Sequence, residues 1–161
     1  MASYKNYFRN KKITVMGLGL LGRGVGDAKF LAQCGAKLLI TDLKTKKQLK
    51  VSLSKLKKFP GIKYRLGEHK LEDFRNRDFI LKAAGVPLNS HFIAEARKNK
   101  IPIEMSASLF ARLSGATIIG ITGTRGKSTT THLIYHVLKK SGRRAYLGGN
   151  VKGVSTLTLL K

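Results

Sequence analysis

Residues 11–35 read KKITVMGLGLLGRGVGDAKFLAQCG: a short β-branched run breaks into glycines at 17, 19 and 22. Val25, Ala28, Leu31 and Ala32 then recur at helical spacing until Gly35 stops the pattern. Strand, glycine turn and helix in so few residues restrict the fold to one built on a βα unit. The G-x-G-x-x-G spacing permits a tight turn and close backbone approach, and the helix beyond it offers unpaired N–H groups and a positive dipole end to a phosphate. Asp42, twenty residues past Gly22, ends the next strand, where a carboxylate accepts hydrogen bonds from a ribose or another diol. The pattern leaves NAD, FAD and other diphosphates open as ligands. A glycine turn serving only helix–sheet packing is the structural alternative.

The same alternation continues. Residues 36–42 (AKLLITD) read as a buried strand, 61–67 as a third, 78–85 (DFILKAAG) as a fourth and 101–105 (IPIEM) as a fifth. Helices are predicted over 90–100, with Ser90 at the N-cap position, and over 106–115. The basic run KTKKQLKVSLSKLKKF (44–59) carries Leu49, Leu53 and Leu56 at helical spacing and predicts an amphipathic helix with a solvated lysine face. Strands alternating with helices define an α/β class with a parallel sheet covered on both faces. A seam is expected near Ser114 and Gly115, dividing the chain into a unit at 1–115 and a second at 116–161. The second is too short to bury a sheet independently and is expected to be incomplete.

That second unit opens with another strand, ATIIGITG (116–123), and a loop, GITGTRGKSTTT (120–131), before a predicted helix with Leu133, Ile134, Val137 and Leu138 on one face. Backbone N–H groups from Thr124 to Thr129 can wrap β- and γ-phosphates, Lys127 can neutralise them, and the Ser128 hydroxyl can reach Mg²⁺. The glycine that the common G-x-x-x-x-G-K-[ST] loop places at position 121 is Ile121. His132 and His136 lie four apart, but away from the apolar face and with no third ligand nearby, so they read as exposed histidines. Residues 105–161 contain no Asp or Glu, hence no carboxylate to hold a metal or activate a nucleophile. The expectation is nucleotide binding without completed phosphoryl transfer.

Composition excludes more than it proposes. The formal charge is +24, from 32 Lys and Arg against 8 Asp and Glu, yet the cations are dispersed and no aromatic-interleaved basic motif or helix-turn-helix accompanies them. No nucleic-acid partner is predicted. Mean hydropathy is −0.13 and no apolar run approaches the ~20 residues of a membrane span. Cys34 is the only cysteine, which excludes an internal disulfide framework. A cytoplasmic monomer is the expected state.

The loop Gly120-Ile-Thr-Gly123-Thr-Arg-Gly126-Lys127-Ser128-Thr129 resembles the ATP loop of the Mur ligases, whose G-x-x-G-T-x-G-K-[ST] pattern sets its first glycine one residue earlier and so accounts for Ile121. VMGLGLLG, the strand end ITD and LGGN (147–150) are similar to the D-glutamate-adding branch of that family. The resemblance implies a Rossmann-like first domain that binds the UDP of a precursor, followed by the first part of a P-loop domain. Site residues follow by position. ATP and Mg²⁺ would be held by Gly123, Thr124, Arg125, Gly126, Lys127, Ser128, Thr129 and Thr130, with Lys127 catalytic and Ser128 reaching the metal through ATP. The UDP substrate would meet Gly19, Leu20, Leu21 and Gly22, then Asp42, Leu43 and Lys44, then Ala83, Ala84 and Gly85, and finally Asn150. Relatives often carry a hydroxyl residue at the Leu21 position, Thr-Arg or similar at Leu43-Lys44 and Ser-Pro at Ala83-Ala84, so several side-chain hydrogen bonds are expected to be lost here while backbone N–H contacts can survive. The implied reaction joins D-glutamate to UDP-N-acetylmuramoyl-L-alanine through an acyl phosphate. The family's Mg²⁺-binding glutamate and histidine, its carbamylated lysine and its D-glutamate domain are expected beyond Lys161. An L-alanine-adding relative and a fragment of an NAD-binding oxidoreductase are the alternatives.

Overall fold

The computed structural model describes residues 3–149 and 154–161. Its centre is a five-stranded sheet formed by β1 (Lys12–Met16), β2 (Lys37–Asp42), β3 (Lys63–Leu66), β4 (Phe79–Lys82) and β5 (Ile103–Glu104). The spatial order is β3-β2-β1-β4-β5, and every pairing is parallel. Strand β1 is central because its side chains are apolar or satisfied on both faces. Ile13 and Val15 enter one core with Phe79 and Leu81, and Met16 enters the other with Ile80. Thr14, between them, is fully buried and donates its hydroxyl to the Asp73 carbonyl at 2.6 Å.

Helices cover both faces. On one, α1 (Ser3–Phe8) and α2 (Arg23–Gln33) deliver Phe8 and Phe30, which meet edge to face at 5.8 Å between centroids. On the other, α4 (His91–Lys98) packs Ile93 and Ala96 against Ile80 and Phe74. Each such fully buried Phe or Ile side chain contributes roughly 1.5–3 kcal/mol by leaving water. Helix α1 was not predicted: six residues are too few for a 3.6-residue period to show.

Two predicted elements differ. Over 44–59 only α3 (Lys50–Ser54) is helical, with Leu49 and Leu56 buried from the turns on either side. No Asp or Glu occurs between residues 43 and 67, so neighbouring turns of a longer helix would stack lysine on lysine, which destabilises helices. The predicted strand at 116–123 does not form; Ile118 and Ile119 are about half exposed, at 48% and 56%. A strand exists only by pairing, and this run reaches neither edge of the sheet. It joins α5 (Ser106–Ser114) to α6 (Lys127–Lys140), and Gly115 closes α5 in the left-handed conformation.

No residue of α6 is buried. The last described segment behaves differently: a 3₁₀ turn at Thr156–Leu160 returns to the first core, where Leu157 is fully buried among residues that include Leu109 of α5. Apolar STLTLLK therefore folds back onto α2 and α5.

The close approach of α2 to the β1 turn rests on a glycine outside the G-x-G-x-x-G triplet. A Cβ on Gly24 would stand 2.3 Å from the Leu18 carbonyl oxygen and 3.0 Å from that of Gly17. Helix propensity alone favours Gly→Ala by about 1 kcal/mol. Gly24→Ala should instead destabilise by at least about 2 kcal/mol, read as a lowered urea midpoint, because backbone rather than a flexible side chain must move. A midpoint equal to or above the wild type would contradict this packing.

Candidate functional site

The order of the sheet reverses at β1: β2 and β3 follow on one side of it, and the chain then crosses to β4 and β5 on the other. The loops after these strands therefore diverge and leave a crevice at their carboxyl ends. Backbone bonds set the walls: Gly17 N–H donates to the Thr41 carbonyl at 2.8 Å, and Ala83 N–H to that of Met16 at 2.9 Å. Gly17, Gly19 and Gly22 all take positive φ, at 91°, 66° and 85°. Gly22 is the N-cap of α2 and supplies no side-chain cap, so the first N–H groups of the helix remain available to a ligand.

Asp42 ties the loops together. Its Oδ2 accepts the Gly19 N–H at 2.9 Å and its Oδ1 the Lys44 N–H at 2.9 Å, and the residue is only 4% exposed. The Ser52 hydroxyl adds a bond to the Gly19 carbonyl at 2.9 Å. The carboxylate placed by sequence beside a diol is thus engaged in holding the glycine turn against the loop after β2.

A cavity of about 370 Å³ gathers Gly19, Leu20, Leu21, Lys44 and Ala83 of the expected set. Ala84 lines a neighbouring crevice of about 410 Å³. Leu43 is 65% exposed, and none of Gly22, Asp42, Leu43 and Gly85 lines either space. Asn150 lies outside the described residues.

Sequence reasoning passed over several residues of the larger crevice: Arg23, Asp27, Lys82, Ser106, Ser155 and Thr156. Asp27 is 7% exposed and accepts the Ser106 hydroxyl at 2.6 Å and the Ser155 hydroxyl at 2.5 Å, so one carboxylate joins α2, α5 and the returning terminal segment. An acid next to Ala28 on the buried face of α2 was the available signal. Its partners were not, since they lie 79 and 128 residues away.

The second loop stands apart. None of residues 123–130 lines either crevice. Gly126, at φ 77°, is the N-cap of α6 without a side-chain cap. Lys127 folds back so that its Nζ donates to the Gly123 carbonyl at 2.5 Å and more weakly to that of Thr124 at 3.4 Å. His132 turns its Nδ1 to the Ser128 carbonyl at 2.7 Å.

A parallel sheet with a glycine turn and an open helix N-terminus at its switch point defines a Rossmann-like α/β unit. The family model for the N-terminal domain of MurD-like Mur ligases matches residues 11–104. The chain belongs to the Mur ligase family, through its MurD-like N-terminal domain. It is 42% identical over 93% of its length to the UDP-N-acetylmuramoylalanine–D-glutamate ligase of Borreliella burgdorferi (strain ZS7), of which it covers 32%. It is 38% identical over 93% of its length to the ligase of the same name from Treponema pallidum (strain Nichols), covering 28%. A solved pseudomurein peptide ligase type C from Methanothermus fervidus is 29% identical over 83% of this chain and 27% of its own, with a TM-score of 0.48. The chain spans about a third of the length of the curated relatives it matches.

Burial raises the Asp27 pKa above its ordinary 3.8, against the opposing influence of the two serine hydroxyls and the Arg23 charge. A raised folded-state pKa means that folding favours the protonated acid: the contribution is complete below 3.8 and is lost as the pH rises through the folded value. Asp27→Asn keeps a neutral, hydrogen-bonding group at every pH. Its stability relative to the wild type, from urea melts, should therefore be greater at about pH 7 than at about pH 3. A difference independent of pH would contradict the desolvated carboxylate.

Proposed function

We propose that the chain is the precursor-binding and phosphate-loop part of an ADP-forming ligase that adds D-glutamate to UDP-N-acetylmuramoyl-L-alanine. The single observation that carries this reading is the coexistence of two glycine loops, each opening a helix. One is clamped by Asp42 at the switch point of a Rossmann-like sheet, and the other has Lys127 and Ser128 in the first turn of α6. The ligase names of the relatives at 42% and 38% identity support the same substrates. In this reading residues 1–115 bind the precursor and residues 116–161 begin the ATP-binding domain. Its substrates are cytoplasmic, and so is the protein.

At the first loop, the N–H groups of Leu20, Leu21 and Gly22, without partners among the described residues, and the positive end of α2 take the diphosphate, with the Lys44 side chain beside them. Asp42 fixes the turn, and Leu43 and Ala83 to Gly85 complete the uridine diphosphate site; Asn150, which the resemblance brings to the substrate, lies outside the described residues. At the second loop, Gly123 to Thr130 present backbone N–H groups to the ATP phosphates. Lys127, whose ammonium now binds only loop carbonyls, can exchange them for phosphate oxygens. This donor set fits ATP with Mg²⁺: the metal would be reached by the Ser128 hydroxyl and, when bound, supplies positive charge to the transferring phosphoryl. Lys127 and the loop amides stabilise the same charge from the protein side.

Asp42 also weighs against an NAD-binding oxidoreductase. Both of its oxygens already accept backbone N–H groups and it is 4% exposed, which leaves little capacity for a ribose diol. Calorimetric titration should show tighter binding of a UDP-sugar than of NADH; the reverse order would sink the ligase reading. Lys127→Ala should weaken ATP by about tenfold to a hundredfold, the loss of one charged hydrogen-bonding group. UDP affinity should stay within about twofold of the wild type, because the two loops share no lining residue. Equal loss of both ligands would argue against two separate sites.

A further inference from the structure

The apolar strand β4 ends in a lysine that neither loop accounts for. Lys82 is 7% exposed and pairs in register with Met16. Its Nζ donates to the Val86 carbonyl at 2.9 Å and to that of Ala83 at 3.3 Å. None of the ion pairs among the described residues involves it. Carbonyl dipoles solvate an ammonium without cancelling its charge, and a charge buried without a counter-ion destabilises the free protein.

The two carbonyls belong to one turn. Val86 N–H donates to the Ala83 carbonyl at 3.0 Å, closing Ala83–Val86, and the ammonium holds both ends of that turn. Between them Ala84 and Gly85 are exposed, and their N–H groups have no partner among the described residues. The turn adjoins β1: a Cβ on Gly17 would lie 3.0 Å from the Ala83 Cβ. Ala83 lines both crevices, and Ala84 lines the larger one beside Arg23.

We propose that Lys82 is a positioning residue for a diphosphate. Its ammonium retains the turn's carbonyls, leaves the N–H groups of Ala84 and Gly85 free for phosphate oxygens, and places behind them a positive charge that the ligand neutralises. This rests on the reading above, in which the turn after β4 meets the uridine diphosphate. The charge is then a cost to the empty protein and a gain to the bound one, which gives the two states opposite responses to its removal.

Two variants separate charge from shape. Lys82→Met removes the charge and the donors; Lys82→Gln keeps a donor for the turn and removes only the charge. The 161-residue chain and both variants are titrated with UDP and with uridine at two salt concentrations, and melted without ligand. For both variants, the expected result is UDP binding weakened by about tenfold or more, uridine binding changed by less than about twofold, and a shallower salt dependence. The ligand-free Lys82→Met chain should melt at or above the wild-type temperature. If Lys82→Met fails to fold, Lys82→Gln decides alone. UDP binding by the variants equal to the wild type overturns the inference and leaves the ligase reading intact. Equal weakening of UDP and uridine also overturns it, because that is the signature of a turn merely held in shape. A wild-type chain that does not respond to UDP overturns the ligase reading and this inference together.

Discussion

The two parallel ladders on β1 are the constraint from which the rest follows. Val15 pairs with Ile40 on one side and Leu81 on the other, so the strand is buried on both faces and bonded along both edges. A parallel pair cannot be closed by a tight turn, and each crossover needs a dozen or more residues packed against a face. Helix α2 is the crossover from β1 to β2, the chain reaches β4 only after α3, β3 and a 3₁₀ turn at Leu71–Phe74, and α4 carries it on to β5. With all strands parallel, the loops that follow β1, β2 and β4 emerge at one end, and β1's central place makes them diverge there. The position of the crevice is a consequence of topology before any ligand chemistry is considered.

Within that crevice, the buried charged groups do the joining that apolar contacts cannot direct. Asp42 links the glycine turn to the loop after β2, Asp27 links three segments distant in sequence, and Lys82 holds the turn after β4. A hydrophobic cluster fixes that elements meet, with some tolerance in how they are placed. A carboxylate that accepts two particular donors fixes loops to within hydrogen-bond geometry, because an unsatisfied buried donor or acceptor is costly. A phosphate-binding turn requires that precision, and all three groups lie in or beside the two crevices.

The second loop shows what happens without such a frame. Gly126 and Lys127 adopt the start of a helix, yet Leu133 and Val137 on α6 are 62% and 56% exposed, and the apolar run before the loop remains unpaired. Helix α6 forms because its hydrogen bonds are internal to the segment. The strand does not, because its bonds must come from a neighbour. The terminal segment, by contrast, finds a surface: Leu157 reaches the first core and Ser155 reaches Asp27.

Local pattern determined most of the architecture. Five strands, the helices at α2, α4 and α5, the parallel class, and the glycine turn facing a helix N-terminus were legible in the sequence, because each depends on periodicity and turn chemistry within some ten residues. The candidate residues Gly19, Leu20, Leu21, Lys44 and Ala83 were assigned through the family resemblance, and all five line one cavity. Tertiary structure alone decided the rest. It decided that Gly24, outside the glycine triplet, carries a close approach of helix to turn, that 44–59 breaks into turns around a short helix, and that 116–123 stays unpaired. It also decided that Asp42 engages both oxygens with backbone and that Asp27 and Lys82 line the larger crevice. Each depends on which distant group supplies a missing bond or fills a given space, and residues 79 or 128 positions apart leave no trace of their meeting in a local pattern.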